Sequence, residues 1–209
     1  MKVVLTRPQG RNEELAERIR ELGHDVFCVP LIAVEPLGDE PIDVSRYDWV
    51  IVTSAAGARE LKRRGWWGHP RRVAAIGQAT AEAFGGADLV ARVSTQEGLL
   101  AELPRPAGRV LFAGAEGARP LLAEELGADF VPLYRTRELR PSVPIDGDLV
   151  VLASASAARA FGALQIAIPS VSIGPQTTAA ARAAGVRVVA EAGTHDLDGL
   201  VEAVVEATR

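Results

Sequence analysis

A chain of 209 residues, 48% hydrophobic and 24% charged, has the apolar content for two modest cores of a globular protein. Its formal net charge of −4 excludes the basic footprint of a general nucleic-acid binder. No apolar run reaches the roughly 18 residues of a membrane span. The opening MKVVLTRPQG has no signal-peptide pattern, and the single cysteine, Cys28, cannot form an intrachain disulfide, so a cytoplasmic protein is expected.

In chain order, Lys2–Thr6 predicts a strand, and Pro8 and Asn12 mark a turn into a helix over Glu13–Leu22. There Leu15, Ile19 and Leu22 recur at helical spacing, and Gly23 closes the element. Further strands are expected at Val26–Val29, Trp49–Thr53, Val73–Ile76, Leu89–Val93, Arg109–Ala113, Asp129–Leu133, Leu149–Ala153, Val171–Ile173 and Val186–Val189. Most are continuous apolar runs, as in strands covered on both faces by helices, and the alternation of strand and helix implies parallel sheets in an α/β fold. Cys28 is expected to pack as a small hydrophobe. RRGWWGHPRR reads as a surface turn with partly packed Trp66 and Trp67.

An internal repeat organises these elements. The segment from Val4 recurs from Val110, the segment from Tyr47 recurs from Gly147, and RVAAIGQATAEAFGGA from Arg72 matches SVSIGPQTTAAARAAG from Ser170 without a gap. The order is A, B, A, B, which marks a duplicated domain. Consecutive pairing would give two beads. The alternative joins the first A to the last B. Strand-like runs LIAVEPL and LYRTREL at equivalent places favour the second arrangement. The expectation is two similar α/β domains, each a five-stranded parallel sheet flanked by helices: residues 1–34 with 140–209, and an inserted domain at 38–132. Residues 31–37 and 133–139 would form a two-stranded linker, and thin linkers imply relative domain movement.

Ligands of parallel α/β sheets bind beyond the carboxyl ends of the strands. The residues there include Arg7, Ser54, Gly77, Thr80, Ser154, Gly174 and Thr177, at helix starts whose unpaired N–H groups attract anions. Ser and Thr at such places also serve as ordinary N-caps. Phosphate-loop glycine motifs and a G-x-S-x-G elbow are absent, and His24, His69 and His195 are scattered, so no metal site is expected. Tyr134, one of two tyrosines, reads from its residues alone as a half-buried strand aromatic.

VLTRP, TSAAG after an apolar strand, AIGQATAEAF, LYRT and SIGPQTTAAARAAG, in this order over essentially the whole chain, resemble the uroporphyrinogen-III synthase family. The resemblance implies two α/β domains joined by a two-stranded ladder. It also implies a lyase that needs no cofactor. Such an enzyme closes hydroxymethylbilane, a linear tetrapyrrole polycarboxylate, with loss of water and inversion of the last pyrrole ring. By resemblance Tyr134 is the acid assisting hydroxyl loss, and Thr80 and Thr177 are hydrogen-bonding threonines. Ser54, Ser154, Gly77, Gly174 and Arg7 are then expected to bind carboxylates. The expected partner is this small molecule alone, with no nucleic acid or membrane, and the protein a monomer. Thr178 departs from the family, where alanine is often found. The competing expectation is a non-catalytic two-domain protein binding a small anionic ligand or tetrapyrrole.

Overall fold

The computed structural model describes Met1–Arg209, which fold as two units: Met1–Ala33 with Thr136–Arg209, and Val34–Arg135. The first unit begins with β1 (Lys2–Leu5), α1 (Glu13–Glu21) and β2 (Asp25–Cys28). β3 (Ile32–Pro36) leads into the second unit. That unit contains β4 (Ile42–Asp43), β5 (Trp49–Val52), α2 (Ala55–Arg64), β6 (Trp66–Trp67), β7 (Arg72–Ala75), α3 (Gln78–Phe84), β8 (Leu89–Val90), α4 (Gln96–Glu102), β9 (Val110–Ala115) and α5 (Leu121–Leu126). β10 (Asp129–Glu138) returns the chain. The first unit is then completed by β11 (Leu149–Leu152), α6 (Ala155–Gly162), β12 (Ser170–Ser172), α7 (Pro175–Ala183), β13 (Val188–Glu191) and α8 (Leu197–Ala207).

The first unit's sheet is wholly parallel, in the order β13-β12-β11-β1-β2, with Leu5 opposite both Val151 and Cys28. Its strands bury both faces, so alternate residues of one apolar run enter different cores. Val3, Leu5, Leu149 and Val151 pack with Leu15 and Ile19 of α1 and Leu200 and Val204 of α8. Val4, Val150 and Leu152 pack on the other face with Phe161 of α6 and Ala181 of α7. α1 follows from its sequence: Leu15, Ala16 and Ile19 are buried, Glu13 and Glu14 lie at the positive end of the helix dipole, and Arg18 and Arg20 at the negative end. Truncating the fully buried Phe161 to alanine would cost about 3–5 kcal/mol.

The second unit's sheet runs β3-β10-β9-β5-β7-β8. The five strands from β10 to β8 are parallel. β3 adds a sixth at the edge, beyond the five expected. Its Leu37 N–H donates to the Leu133 carbonyl at 2.8 Å and Glu35 meets Arg135 at 3.0 Å, so numbering rises on one strand as it falls on the other and the pair is antiparallel. Two cores again flank the sheet. Val50, Val52, Leu111 and Ala113 join Leu61 of α2 on one face, and Ile51, Ala74 and Phe112 join Leu99 of α4 and Leu122 of α5 on the other.

Several local expectations change. β2 is an edge strand paired only with β1, so Phe27 is 46% exposed and Cys28 is exposed instead of packed as a small hydrophobe. β10 continues without a break from Asp129 to Glu138, where a boundary at Leu133 was expected, because the linker run extends the strand's pairing. The RRGWWGHPRR stretch contains β6, which pairs with β4. Trp66 stacks on Phe84 with ring centroids 5.5 Å apart, and Trp67 is 64% exposed. No helix is long and apolar enough to cross a membrane.

Candidate functional site

Tyr134 stands in β10, where a register shift against β9 falls between Pro132 and Tyr134. The irregularity lets consecutive Leu133 and Tyr134 both enter one core, which strict alternation would forbid. Tyr134 is 7% exposed, and its hydroxyl lies 2.9 Å from Ser54 Oγ. Ser54 follows β5 as the N-cap of α2, its extended backbone leaving Oγ free to accept from the Gly57 N–H at 2.9 Å. One serine thus caps a helix and holds a phenol. Gly57 keeps that helix start close to the ring, since a Cβ there would lie 3.7 Å from Tyr134 Cε1 and 3.1 Å from Ser54 Oγ. Burial pushes the phenol above its ordinary range, while the Ser54 hydroxyl and the charge of Arg59 pull the other way. The burial effect prevails, so the phenol carries its proton at neutral pH.

The other predicted residues of this unit lie at the same sheet edge. Gly77 follows β7 as the N-cap of α3, and Thr80 is buried in that helix's first turn with its N–H on the Gly77 carbonyl at 3.1 Å. A Cβ on Gly77 would stand 2.6 Å from Ser94 Oγ.

In the first unit, β1, β11 and β12 are successive neighbours, so Arg7, Ser154 and Gly174 follow adjacent strand ends. Arg7 is half-buried and forms no ion pair. Burial and the nearby Arg11 push its guanidinium down from its usual value, against the longer-range influence of Glu14 and Glu13. Buried Asn12 holds this loop by donating from Nδ2 to the carbonyls of Arg7 at 3.2 Å and Pro8 at 3.4 Å. Ser154 caps α6, accepting from the Ala157 N–H at 3.2 Å, with Ser156 Oγ at 3.1 Å. Gly174 caps α7 and Thr177 lies in its first turn, 4% exposed. The hydroxyls of Thr80 and Thr177 bond to no group of the protein. Thr178 instead turns to the sheet, accepting from Ser172 Oγ at 2.5 Å and donating to Glu191. Of the predicted residues, only Ser54 and Tyr134 are hydrogen-bonded to each other through side chains.

The duplication shows which features the fold itself requires. Val29-Pro30-Leu31-Ile32 corresponds to Val131-Pro132-Leu133-Tyr134, and Ile32 is 6% exposed. A hydrocarbon therefore satisfies the fold where the second unit carries its phenol. A further correspondence escaped the sequence reading. Thr95 and Asp196 cap α4 and α8 by accepting from the Gly98 and Gly199 N–H groups at 3.0 and 2.9 Å. The residue before each cap, Ser94 or His195, lies against the glycine heading the neighbouring helix, Gly77 or Gly174. The traces in the sequence are S-T-x-x-G-L and H-D-x-x-G-L at residues 94–99 and 195–200.

No group of three His, Cys, Asp or Glu side chains is placed to hold a metal ion. A groove of about 510 Å³ beside α1 is lined by Gln9, Glu13, Glu17, Cys28 and neighbours, and by none of the predicted site residues. It has no part in this site.

Two α/β units, each with a core of parallel strands and small or hydroxylated residues at their carboxyl ends, define a duplicated α/β protein in which one unit holds a buried tyrosine against a helix-capping serine. Known proteins make the class specific. The family model described as uroporphyrinogen-III synthase HemD matches residues 13–202. A uroporphyrinogen-III synthase of Synechococcus elongatus is 26% identical over 252 aligned positions, covering 99% of this chain and 95% of the relative. A putative uroporphyrinogen-III synthase of Archaeoglobus fulgidus is 32% identical over 146, covering 67% and 62%. A crystal structure of a mutant uroporphyrinogen III synthase from Thermus thermophilus matches the fold with a TM-score of 0.63 at 17% identity, covering 100% of this chain and 98% of that one. The chain belongs to the uroporphyrinogen-III synthase family.

Proposed function

We propose that the protein is a uroporphyrinogen-III synthase, a lyase converting hydroxymethylbilane to uroporphyrinogen III, with Tyr134 as its acid. The observation that carries this assignment is the buried phenol on Ser54, present in one unit and replaced by Ile32 in the other. Leaving of the substrate hydroxyl needs a proton, and a phenol held above its ordinary range keeps one throughout the neutral region. The same shift weakens it as an acid, so electron push from the pyrrole nitrogen carries most of the C–O cleavage. Tyr134 gives its proton, water leaves, and an azafulvene cation remains. The Ser54 hydroxyl then donates to the phenolate while keeping the Gly57 N–H bond. Closure through a spiro intermediate inverts the last ring. The proton lost when that ring regains aromaticity returns to Tyr134, so no electrons are exchanged and the acid is restored.

Binding falls to groups that carry little net charge. The first turns of α2, α6 and α7, capped by Ser54, Ser154 and Gly174, present N–H groups to carboxylates. Gly77 contributes turn backbone and Thr80 and Thr177 contribute unpartnered hydroxyls. Arg7 supplies a guanidinium with no carboxylate of its own. The protein's part is chiefly to hold one conformer of a flexible chain. Fresh hydroxymethylbilane, followed by oxidation and chromatography of the porphyrin isomers, tests this. Isomer III is expected. Isomer I alone from folded protein, the product of spontaneous closure, would leave a non-catalytic tetrapyrrole or anion binder.

A further inference from the structure

We propose that His195 is a substrate-binding residue, donating from its imidazole to a carboxylate seated on the first turn of α7 beside the Thr177 hydroxyl. The inference rests on the assignment of that strand end to a polycarboxylate substrate and adds a residue to it. A Cβ on Gly174 would stand 2.6 Å from both Cδ2 and Nε2 of His195, so the ring edge carrying Nε2 lies against the backbone at the head of α7. The ring is otherwise exposed. In the same first turn Thr177 is 4% exposed with a hydroxyl that bonds to nothing in the protein. With no protein partner and not fully enclosed, that hydroxyl is open to a ligand oxygen that would accept from it.

The second unit supplies the comparison. There the same slot, against Gly77, holds Ser94, so the fold does not ask for an imidazole. The two helix heads differ in a matching way. α3 begins with Gln78, whose N–H is one of the unpaired donors of a first turn. α7 begins with Pro175, which has no N–H. The head of α7 therefore lacks a donor that α3 has, and the histidine places one against the same helix. Asp196, next to His195, is held at the head of α8, its Oδ1 accepting from Gly199 N–H at 2.9 Å and Thr194 Oγ1 at 2.8 Å.

The test compares wild type with His195→Ser, His195→Ala and His195→Gln. Serine is the residue the homologous slot already carries, so His195→Ser should leave the thermal midpoint within about 2 °C. With hydroxymethylbilane as substrate, KM should rise about tenfold in His195→Ser and His195→Ala, the loss of one hydrogen bond to a charged group, with kcat within about twofold. His195→Gln, which keeps a donor, should recover most of the loss. Calorimetric titration with uroporphyrin III separates this from the proposed reaction, because it needs no turnover. Absence of isomer III from wild type would overturn the synthase assignment, while a Kd for uroporphyrin III raised about tenfold by His195→Ser would still support the site. KM and Kd within twofold of wild type in His195→Ser, or wild-type protein that does not bind uroporphyrin III, would overturn the inference.

Discussion

Replacing Tyr134 with phenylalanine separates the two things this residue does. The ring fills part of the second unit's core and stays in place, while the hydroxyl and its 2.9 Å bond to Ser54 are lost. Ser54 keeps its bond to the Gly57 N–H, so the α2 cap survives, and its partly buried hydroxyl loses one partner. One neutral hydrogen bond is worth about 1 kcal/mol of stability, against a typical total of about 5–15 kcal/mol. The protein should therefore remain folded. General acid catalysis contributes about 10²–10⁴ in rate, which is about 3–5.5 kcal/mol of barrier at 1.36 kcal/mol per tenfold. Isomer III formation should fall by that factor while the urea midpoint moves little. The background then matters, because substrate not captured by the enzyme closes to isomer I, and the ratio of isomers reports the loss directly. Isomer III at the wild-type rate would refute the assignment of Tyr134 as the acid. Activity lost only in step with folded protein would reduce the residue to a packing role.

Alkaline stability follows from the same burial. Below about pH 10 both folded and unfolded phenol are protonated and Tyr134 adds no slope. Above it the unfolded state ionises while the native state, its phenol held higher, keeps the proton, so stability falls as pH rises. Tyr134→Phe should flatten that fall in urea titrations, leaving the part due to Tyr47, which burial also pushes up. At the acid end, Arg119 grips Glu97 at 2.6 and 2.8 Å and holds its carboxyl down to about 2. The contribution is present above the ordinary carboxylate value of 4.5 and lost as pH falls toward 2, so Glu97→Gln should remove a small part of the slope in that window. Gly174→Ala should cost about 1–3 kcal/mol by driving the new methyl into His195, and His195→Ala should relieve most of it in a thermal-melt cycle. Gly199→Ala meets the backbone carbonyl of Thr194, so trimming a side chain should not rescue it.

The parallel architecture was legible because the apolar runs at Lys2–Leu5, Trp49–Val52 and Leu149–Leu152 are buried on both faces and bounded by helix-start residues. Edges were not legible. Asp25–Cys28 is as apolar in sequence as a central strand, yet nothing pairs with its outer side, and no local pattern distinguishes those cases. The two-residue pair β4–β6 is too short for any periodicity. Ser54 could be found as a cap, but its contact with Tyr134 joins residues 80 positions apart across a register shift. His195 has no His or Cys at ligand spacing, so its local sequence carries no signal. The informative comparison was with Ser94 in the other copy, and it needed the cap-to-glycine spacing as its anchor.

A duplicated chain contains its own control for distinguishing structure from chemistry. Features that recur in both units are explained by the fold: Ser54 and Ser154 cap their helices in the same way, and Gly98 and Gly199 sit equally tight under the preceding carbonyl. Their recurrence is no evidence of a shared ligand. The differences carry the functional information, because each unit demonstrates that the other's residue is dispensable for folding. Tyr134 faces Ile32 in this comparison, His195 faces Ser94, and Arg7 faces Gly114. On the proposed assignment the acid belongs to one unit, and Arg7 and His195 belong to the other. A substrate with a single leaving hydroxyl and many carboxylates is compatible with that asymmetry, since one proton donor suffices for the first and dispersed donors serve the second.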